Sequence, residues 1–360
     1  MKRIEISVKP ILDRRDRRAF MVTLKDIAEN AGVSMMTVSR VMNGNQGKVS
    51  EKTAARIRAL ADEMGYIPNS SARSLAANSS KIIAVVLRDL PAGNPLADPY
   101  SAAFLGLITR EVQKRGYYIM IHFVQDFSDV TFRLRSWNAE GAIFLGLFDE
   151  EIRQLQSSNH IPLVFTDSYS NVRQLINIGI DDYKGGELAA EYLIQKGHTS
   201  LAFAGPFTRT GGVISKRCQG FSDIIKREHL SLAPKHIYDL DKITPEDLID
   251  SILNDPTPPT GLFAFSDEWA VQLFSIARQK GLSIPEQLSV IGFDDLPVSR
   301  ALPIALTTIR QDITKKAEET CRLLFEHITA PEKPCESVIL DVQLVERDSV
   351  AKIIKNTSLL

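Results

Sequence analysis

The sequence has little cysteine and no cysteine or histidine arrangement typical of a metal site. Its three cysteines, Cys218, Cys321 and Cys335, show no close paired spacing, and the six histidines include no pair four residues apart. This pattern argues against a disulfide framework and against a zinc site. It is typical of a protein from a reducing cytoplasm.

The sequence also lacks the segments that carry proteins into or across membranes. No apolar run approaches the ~20 residues that span a bilayer. The start of the chain has no apolar centre of the kind found in signal peptides, because residues 9–18 are mostly charged. We therefore expect a cytoplasmic protein without membrane partners. Its 360 residues, 44% hydrophobic and 24% charged, exceed one ordinary globular domain.

Motifs that carry catalysis are missing from the sequence. It contains neither a Gly-x-Ser-x-Gly nucleophile motif nor a Walker phosphate loop. We therefore predict that the chain is not an enzyme and has no catalytic residue, metal or cofactor.

Residues 22–65 show the pattern of three short helices around a tight turn. Thr23 with Asp26 three positions later is typical of a helix start, because the hydroxyl satisfies an N–H group of the first turn. Gly32 suits the turn, and Ser34 and Ser50 are placed to cap the next two helices. The pattern predicts a helix-turn-helix unit, although any small helical bundle shows similar caps.

Charge is distributed unevenly along the chain. Residues 1–81 carry 15 Lys and Arg against 8 Asp and Glu, a net charge of +7. The whole chain is at −1, so residues 82–360 carry −8. A basic N-terminal segment on an otherwise acidic chain favours a protein in which only that segment binds nucleic acid phosphates.

The order and spacing of several motifs closely resemble the lactose-repressor (LacI/GalR) family of bacterial transcription regulators. The motifs are residues 22–40, Val41-Met42-Asn43-Gly44, Gly65-Tyr66-Ile67-Pro68-Asn69 and Ala72-Arg73-Ser74-Leu75. The resemblance implies a helix-turn-helix DNA-binding domain at 22–68, a hinge helix and linker at 69–80, an effector-binding and dimerisation core at 81–349, and a tail at 350–360. Residues 1–21 precede the usual start of the family. We expect them to be disordered or to result from a misassigned gene start.

From residue 81 onward, short apolar runs, among them 82–87 and 289–293, alternate with helical stretches, among them 102–115 and 269–280. This alternation predicts an α/β protein with parallel sheets. The resemblance implies a periplasmic-binding-protein-like core of two Rossmann-like parallel-sheet subdomains. We place one subdomain at about 81–181 plus 311–340, and the other at about 182–310 plus 341–349.

The second helix of the headpiece supplies the candidate DNA contacts. Met35, Met36 and Arg40 are predicted to enter the major groove, where Arg40 would read guanine and the methionines would contact thymine methyl groups. Their alternatives are a phosphate contact for Arg40 and plain helix surface for the methionines. The candidate phosphate-binding residues are Thr37, Ser39 and Asn43.

The hinge contains the candidate minor-groove residues Leu75, Ala72 and Arg73. An isolated helix of about two turns is only marginally stable in water. We therefore expect this segment to become ordered only when it binds DNA. By resemblance, two copies pair over the minor groove and Leu75 wedges between the central base pairs. The alternative is a flexible Ser/Ala linker in which Leu75 is unimportant.

Polar residues at predicted strand ends supply the candidate effector site. By resemblance, the residues that line the effector cleft are Tyr100, Ser101, Asp167, Arg217, Ser266 and Asp294. Carboxylates with an arginine suit a ligand rich in hydroxyl groups. We predict that the ligand is a sugar or sugar derivative, and the alternative ligands are a nucleoside or a phosphorylated metabolite. The alternative for each of these residues is a purely structural role.

These predictions together describe a transcription regulator. We expect a repressor of a carbohydrate-utilisation operon that binds a palindromic operator on double-stranded DNA as a homodimer and is switched by a small-molecule effector. The alternative is a global regulator of the catabolite-control type, whose coeffector is a phosphorylated carrier protein. Methionine at the position of Met35 also occurs in that type.

Overall fold

The computed structural model describes residues 22–44, 49–67, 79–89, 94–147, 149–168, 175–207 and 212–353. The chain forms two units, with the boundary between residues 78 and 79. Within the described ranges, no helix is long and apolar enough to cross a membrane.

The described residues of the N-terminal unit form three helices: α1 (Leu24–Ala31), α2 (Met35–Met42) and α3 (Glu51–Glu63). Thr23 and Asp26 form the reciprocal capping box expected from the sequence, and Ser34 and Ser50 cap the other two helices. Gly32 ends α1 at a φ of 63°, in the left-handed region that glycine adopts readily. The predicted helix-turn-helix unit is confirmed.

The described part of the second unit contains two six-stranded sheets. Its strands are β1 (Ile82–Arg88), β2 (Tyr118–Val124), β3 (Gly141–Leu145), β4 (Leu163–Thr166), β5 (Ile176–Ile180), β6 (Leu201–Gly205), β7 (Ile237–Asp239), β8 (Gly261–Ala264), β9 (Ser289–Asp294), β10 (Thr307–Gln311), β11 (Ser337–Leu340) and β12 (Val342–Val345). The first sheet has the order β11-β5-β4-β3-β1-β2 and the second β12-β10-β9-β8-β6-β7. Described strand pairs are parallel except β10 with β12.

Helices cover both faces of each sheet. They are α4 (Pro99–Lys114), α5 (Val130–Ser136), α6 (Asp149–Ser158), α7 (Asp182–Gln195), α8 (Val213–Arg227), α9 (Pro245–Leu253), α10 (Asp267–Lys280), α11 (Pro297–Ala301) and α12 (Ile313–Thr329). Because both faces of their sheet are covered, β6 and β9 are buried at every position, and their interior residues are apolar.

The chain passes between the sheets three times. It leaves the first sheet after β5, returns after β10 so that α12 packs on the first sheet, and divides β11 and β12 between the two sheets. The predicted fold of two parallel-sheet α/β subdomains is confirmed. In such folds ligands bind at the carboxyl ends of the strands, and here each crossing links the two sheets near those ends.

Candidate functional site

The first candidate site is the exposed face of α2 in the helical headpiece. Val38 and Val41 are buried in the small core, which turns the opposite face outward. On that face Met35 is 57% exposed and Met36 is 63% exposed, and Arg40 is exposed one turn further along. A contiguous exposed apolar patch is one mark of a binding surface.

The three candidate phosphate-binding residues lie on the same helix or at its end. The Thr37 hydroxyl is 2.9 Å from the hydroxyl of Ser34, which caps the helix. Asn43 donates a hydrogen bond of 3.3 Å from Nδ2 to Ser39 Oγ. Leu75, Ala72 and Arg73, the predicted minor-groove residues, lie outside the described residues.

The second candidate site begins at the carboxyl edge of the first sheet. Tyr100 lies at the start of α4, which follows β1, and Asp167 follows β4. The Tyr100 hydroxyl donates to Asp167 Oδ2 at 3.1 Å. Lys316 on α12 donates from Nζ to Asp167 Oδ1 at 2.5 Å and to the Tyr100 oxygen at 2.7 Å. A fully buried ammonium group thus joins the two predicted residues.

This hydrogen-bond network continues to the second sheet. Lys316 Nζ donates to Gln311 Oε1 at 3.3 Å, and Gln311 Nε2 donates to Asp294 Oδ1 at 2.6 Å. Gln311 ends β10 and Asp294 ends β9. Burial raises the pKa of Asp294 to about 7, although Arg217 and Gln311 act in the opposite direction. The carboxyl ends of both sheets therefore meet around one buried polar network.

Arg217 lies beside this network on α8. Its Nε donates to Asp182 Oδ1 at 2.7 Å, and its Nη1 donates to the Phe265 carbonyl oxygen at 2.6 Å. The guanidinium carbon lies 3.4 Å from the ring centre of Phe293, a close cation–π contact. These contacts fix the orientation of a buried guanidinium group, which suits it to bind a ligand bidentately.

Two glycines set the position of Arg217. A Cβ atom on Gly186 of α7 would lie 2.0 Å from the Arg217 carbonyl oxygen, and one on Gly220 of α8 would lie 2.0 Å from the Tyr183 carbonyl oxygen. Because neither atom is present, the two helix backbones are in direct contact. The close approach of α7 and α8 therefore determines how deeply Arg217 lies in the cleft.

The remaining predicted effector residues serve helix starts. Ser101 Oγ donates to Asp98 Oδ2 at 2.5 Å, and Asp98 caps α4. Ser266 caps α10 by accepting from the Trp269 amide at 3.3 Å. These contacts engage both hydroxyl groups locally, unlike the other four predicted residues, which belong to or adjoin the network.

Sequence reasoning did not predict Lys316, Gln311 or Asp182 as site residues. A signal for Lys316 exists, because it precedes Thr320 and Leu324 at four-residue spacing on the buried face of α12. A lysine on an otherwise buried helix face needs a partner for its charge. The partner, Asp167, is distant in sequence and follows from the tertiary structure alone.

Comparisons with known families find matches in both units of the chain. Residues 23–69 match the bacterial regulatory proteins of the lacI family, and residues 190–350 match the periplasmic binding protein-like domain. The repressor PurR of Klebsiella pneumoniae is 30% identical over 347 residues, covering 92% of this chain and 97% of its own. The probable repressor ExuR of Bacillus subtilis is 28% identical over 342 residues, covering 92% and 99%.

Solved structures give the same picture. The lac repressor dimer bound to operator and the anti-inducer ONPF has a TM-score of 0.79 and 25% identity, covering 92% of this chain and 99% of its own. The complex of the transcriptional regulator CelR with cellobiose has a TM-score of 0.67 and 23% identity, covering 91% and 99%. The second likeness concerns the fold alone. Structural neighbours of the chain therefore include regulators that hold small sugar ligands.

Proposed function

This chain belongs to the LacI family of bacterial regulatory proteins, and we propose that it represses a carbohydrate-utilisation operon under the control of a small-molecule effector. The observation that carries the proposal is the exposed face of α2. There Met35 and Met36 are exposed to solvent beside Arg40, and the opposite face of the helix packs into the core of the helix-turn-helix unit. The second helix of such a unit is the one that enters the major groove.

The three exposed residues suit different parts of a base-pair edge. Arg40 presents a planar pair of donors that matches O6 and N7 of guanine. Met35 and Met36 offer apolar surface without directed hydrogen bonds, which suits thymine methyl groups. Thr37, Ser39 and Asn43 lie where a helix in the groove meets the backbone, and we assign them to phosphates. For the minor-groove role of Leu75, Ala72 and Arg73 the support is the sequence resemblance.

We assign the effector to the cleft between the two sheets. Asp167 and Asp294 supply acceptors, and Arg217 supplies a fixed planar donor, a combination that suits vicinal hydroxyl groups. Tyr100 adds an aromatic face parallel to Phe104. The ligand class that matches this set is a sugar or sugar derivative. Its binding would alter the separation of the two sheets and hence DNA affinity.

We further propose that the active form is a homodimer on a palindromic operator. A dimer with two DNA-binding domains matches a site with two-fold symmetry, since each domain contacts one half-site. A groove of about 760 Å³ on the second subdomain supports this assignment, with Val271, Phe274, Leu302 and Ile304 in its walls. We assign this groove to a second copy of the chain, since the lac repressor, a structural neighbour, is a dimer on its operator.

Selection on a random palindromic DNA library, repeated with a panel of sugars, tests the proposal. We expect one symmetric site whose affinity a single sugar changes. A site that no sugar affects, but that a phosphorylated carrier protein strengthens, would favour the catabolite-control type instead. Failure to select any site would contradict the proposed function.

A further inference from the structure

Three residues that each precede a strand lie together where the chain enters the first sheet. Lys81 precedes β1, Tyr117 precedes β2 and Glu140 precedes β3, and β1 lies between the other two strands. Because these strands are parallel, the three residues share the amino edge of the sheet. Tyr100 and Asp167 follow strands of the same sheet and so lie at its opposite edge.

Glu140 is the centre of this group. Its Oε1 accepts hydrogen bonds from Ser79 Oγ at 2.5 Å and from the Lys81 amide at 2.8 Å. Its Oε2 accepts from the Tyr117 hydroxyl at 2.9 Å. Lys81 Nζ in turn donates to the Tyr117 oxygen at 3.1 Å and lies 4.3 Å from the ring centre. We call Ser79, Lys81, Tyr117 and Glu140 the entry clamp.

The backbone around the entry clamp is held on both sides. Ser80 Oγ donates to the Asn138 carbonyl oxygen at 2.5 Å, and the Tyr118 amide donates to the Lys81 carbonyl oxygen at 2.7 Å. Lys81 has a φ of 57°, in the left-handed region that residues other than glycine adopt only when their surroundings fix them. Residues 79–81 are therefore attached to the sheet by side chains and backbone together.

Building on the proposed function, we propose that Glu140 is a positioning residue of the switch. It fixes the first residues of the core to the first sheet, so that a movement of this sheet at the cleft reaches the chain that leads to the DNA-binding domain. The path is short, because β1 spans the sheet in roughly 20 Å at about 3.3 Å per residue. A packed parallel sheet transmits such a displacement with little deformation.

Replacing Glu140 separates this role from a general contribution to stability. Glu140→Ala removes all three acceptor contacts, whereas Glu140→Gln keeps an oxygen for Ser79 and the Lys81 amide. Glu111→Ala is the matched control, since that carboxylate is likewise held by hydrogen bonds, from Lys114 at 2.5 Å and Arg115 at 3.1 Å, on a surface helix of the same subdomain. The readouts are affinity for the selected operator, affinity for random-sequence DNA of the same length, and melting temperature of the full chain.

We expect Glu140→Ala to lower operator affinity about tenfold, within the range by which residues on a coupling path act. Random-sequence affinity and the melting temperature should match those of Glu111→Ala, and Glu140→Gln should restore most of the loss. Operator affinity within about twofold of Glu111→Ala would overturn the inference. So would a parallel loss in operator affinity, random-sequence affinity and melting temperature, which indicates a merely structural residue.

Amide exchange at Lys81 tests the entry clamp without DNA. Glu140→Ala should accelerate exchange of this amide while leaving the strand amides of β3 protected. Unchanged exchange would contradict the clamp itself. If the wild-type chain selects no operator, the proposed function fails, and the exchange measurement still decides whether Glu140 holds residues 79–81.

Discussion

Lys316 and Asp167 are 149 positions apart in sequence and meet through a hydrogen bond of 2.5 Å from Nζ to Oδ1. The lysine side chain is fully buried, and the aspartate side chain is 17% exposed. The pair joins α12 to the carboxyl end of β4, at the point where the candidate effector residues converge. Its three acceptors, on Tyr100, Asp167 and Gln311, satisfy all three ammonium protons. A buried lysine is therefore part of the cleft rather than an isolated charge.

Lys316→Met should destabilise the protein, because it leaves the Asp167 carboxylate without its cation. Removing one partner of a buried ion pair lowers the free energy of unfolding by about 3–5 kcal/mol. Because Asp167 is partly exposed to water, we expect a loss near the lower end, about 3 kcal/mol. Urea unfolding measures the change. The double variant Lys316→Met with Asp167→Asn should recover part of the loss. Simple additivity of the two single variants would contradict a direct pairing.

Asp294 should make effector binding depend on pH. Its pKa is about 7 against an ordinary value of 3.8, so the folded chain holds a proton there that the unfolded chain has already released. This group therefore lowers the free energy of unfolding as pH rises through that window. Hydroxyl donors prefer the ionised carboxylate, so affinity for the effector should rise up to about tenfold per pH unit until pH ~7 and then level off.

Titration calorimetry of the effector at several pH values measures this dependence. Asp294→Asn should flatten the profile and lower the plateau. Burial and the charge of Asp294 together raise the pKa of Asp267 to about 8, so in this variant Asp267 titrates at a lower pH than in the wild type. Equal slopes in the two proteins would exclude Asp294 as the titrating group.

Gly220→Ala should disturb the position of Arg217. The new Cβ atom would lie 2.0 Å from the Tyr183 carbonyl oxygen, so α8 must move away from α7. Overpacking of this kind costs about 1–3 kcal/mol, and more where backbone opposes backbone. Effector affinity should fall with stability, because Arg217 lies one turn before the substitution.

Gly106→Ala on α4 is the matched control for that experiment. A Cβ atom there meets nothing within 4 Å, so the substitution should stabilise the helix by about 0.5–1 kcal/mol. Thermal unfolding of both variants gives the comparison. Equal effects of the two substitutions would contradict the close approach of α7 and α8.

Arg40→Ala should relax the operator preference at one base-pair position in each half-site. Loss of a bidentate guanine contact removes about 1–3 kcal/mol of discrimination at that position. Lys25→Ala is the control, because Lys25 is an exposed cation on α1, 3.8 Å from Glu29. Binding to a set of single-base operator variants measures both. A uniform loss over all variants would assign Arg40 to a phosphate.

Sequence patterns predicted the strands better than the helix starts. The apolar run predicted at residues 82–87 is β1, and that predicted at 289–293 is β9, each longer by one residue. Helices expected from residues 102 and 269 begin at Pro99 and Asp267. The reason is that Asp98 and Ser266 cap these helices before the apolar periodicity begins, and a cap is a side-chain contact rather than a periodic pattern.

The sequence by itself determined the order of elements, the helix-turn-helix unit and the α/β class, because these follow from local periodicity, caps and glycine placement. Only the tertiary structure decided that Lys316 joins Asp167 to Gln311, that Gly186 and Gly220 bring two helices into contact, and that Glu140 holds Ser79. Each of these relationships joins residues distant in sequence. The local sequence pattern carries no information on such contacts. They form only when the parallel strands align their ends and the passages of the chain between the sheets bring the two sheets together.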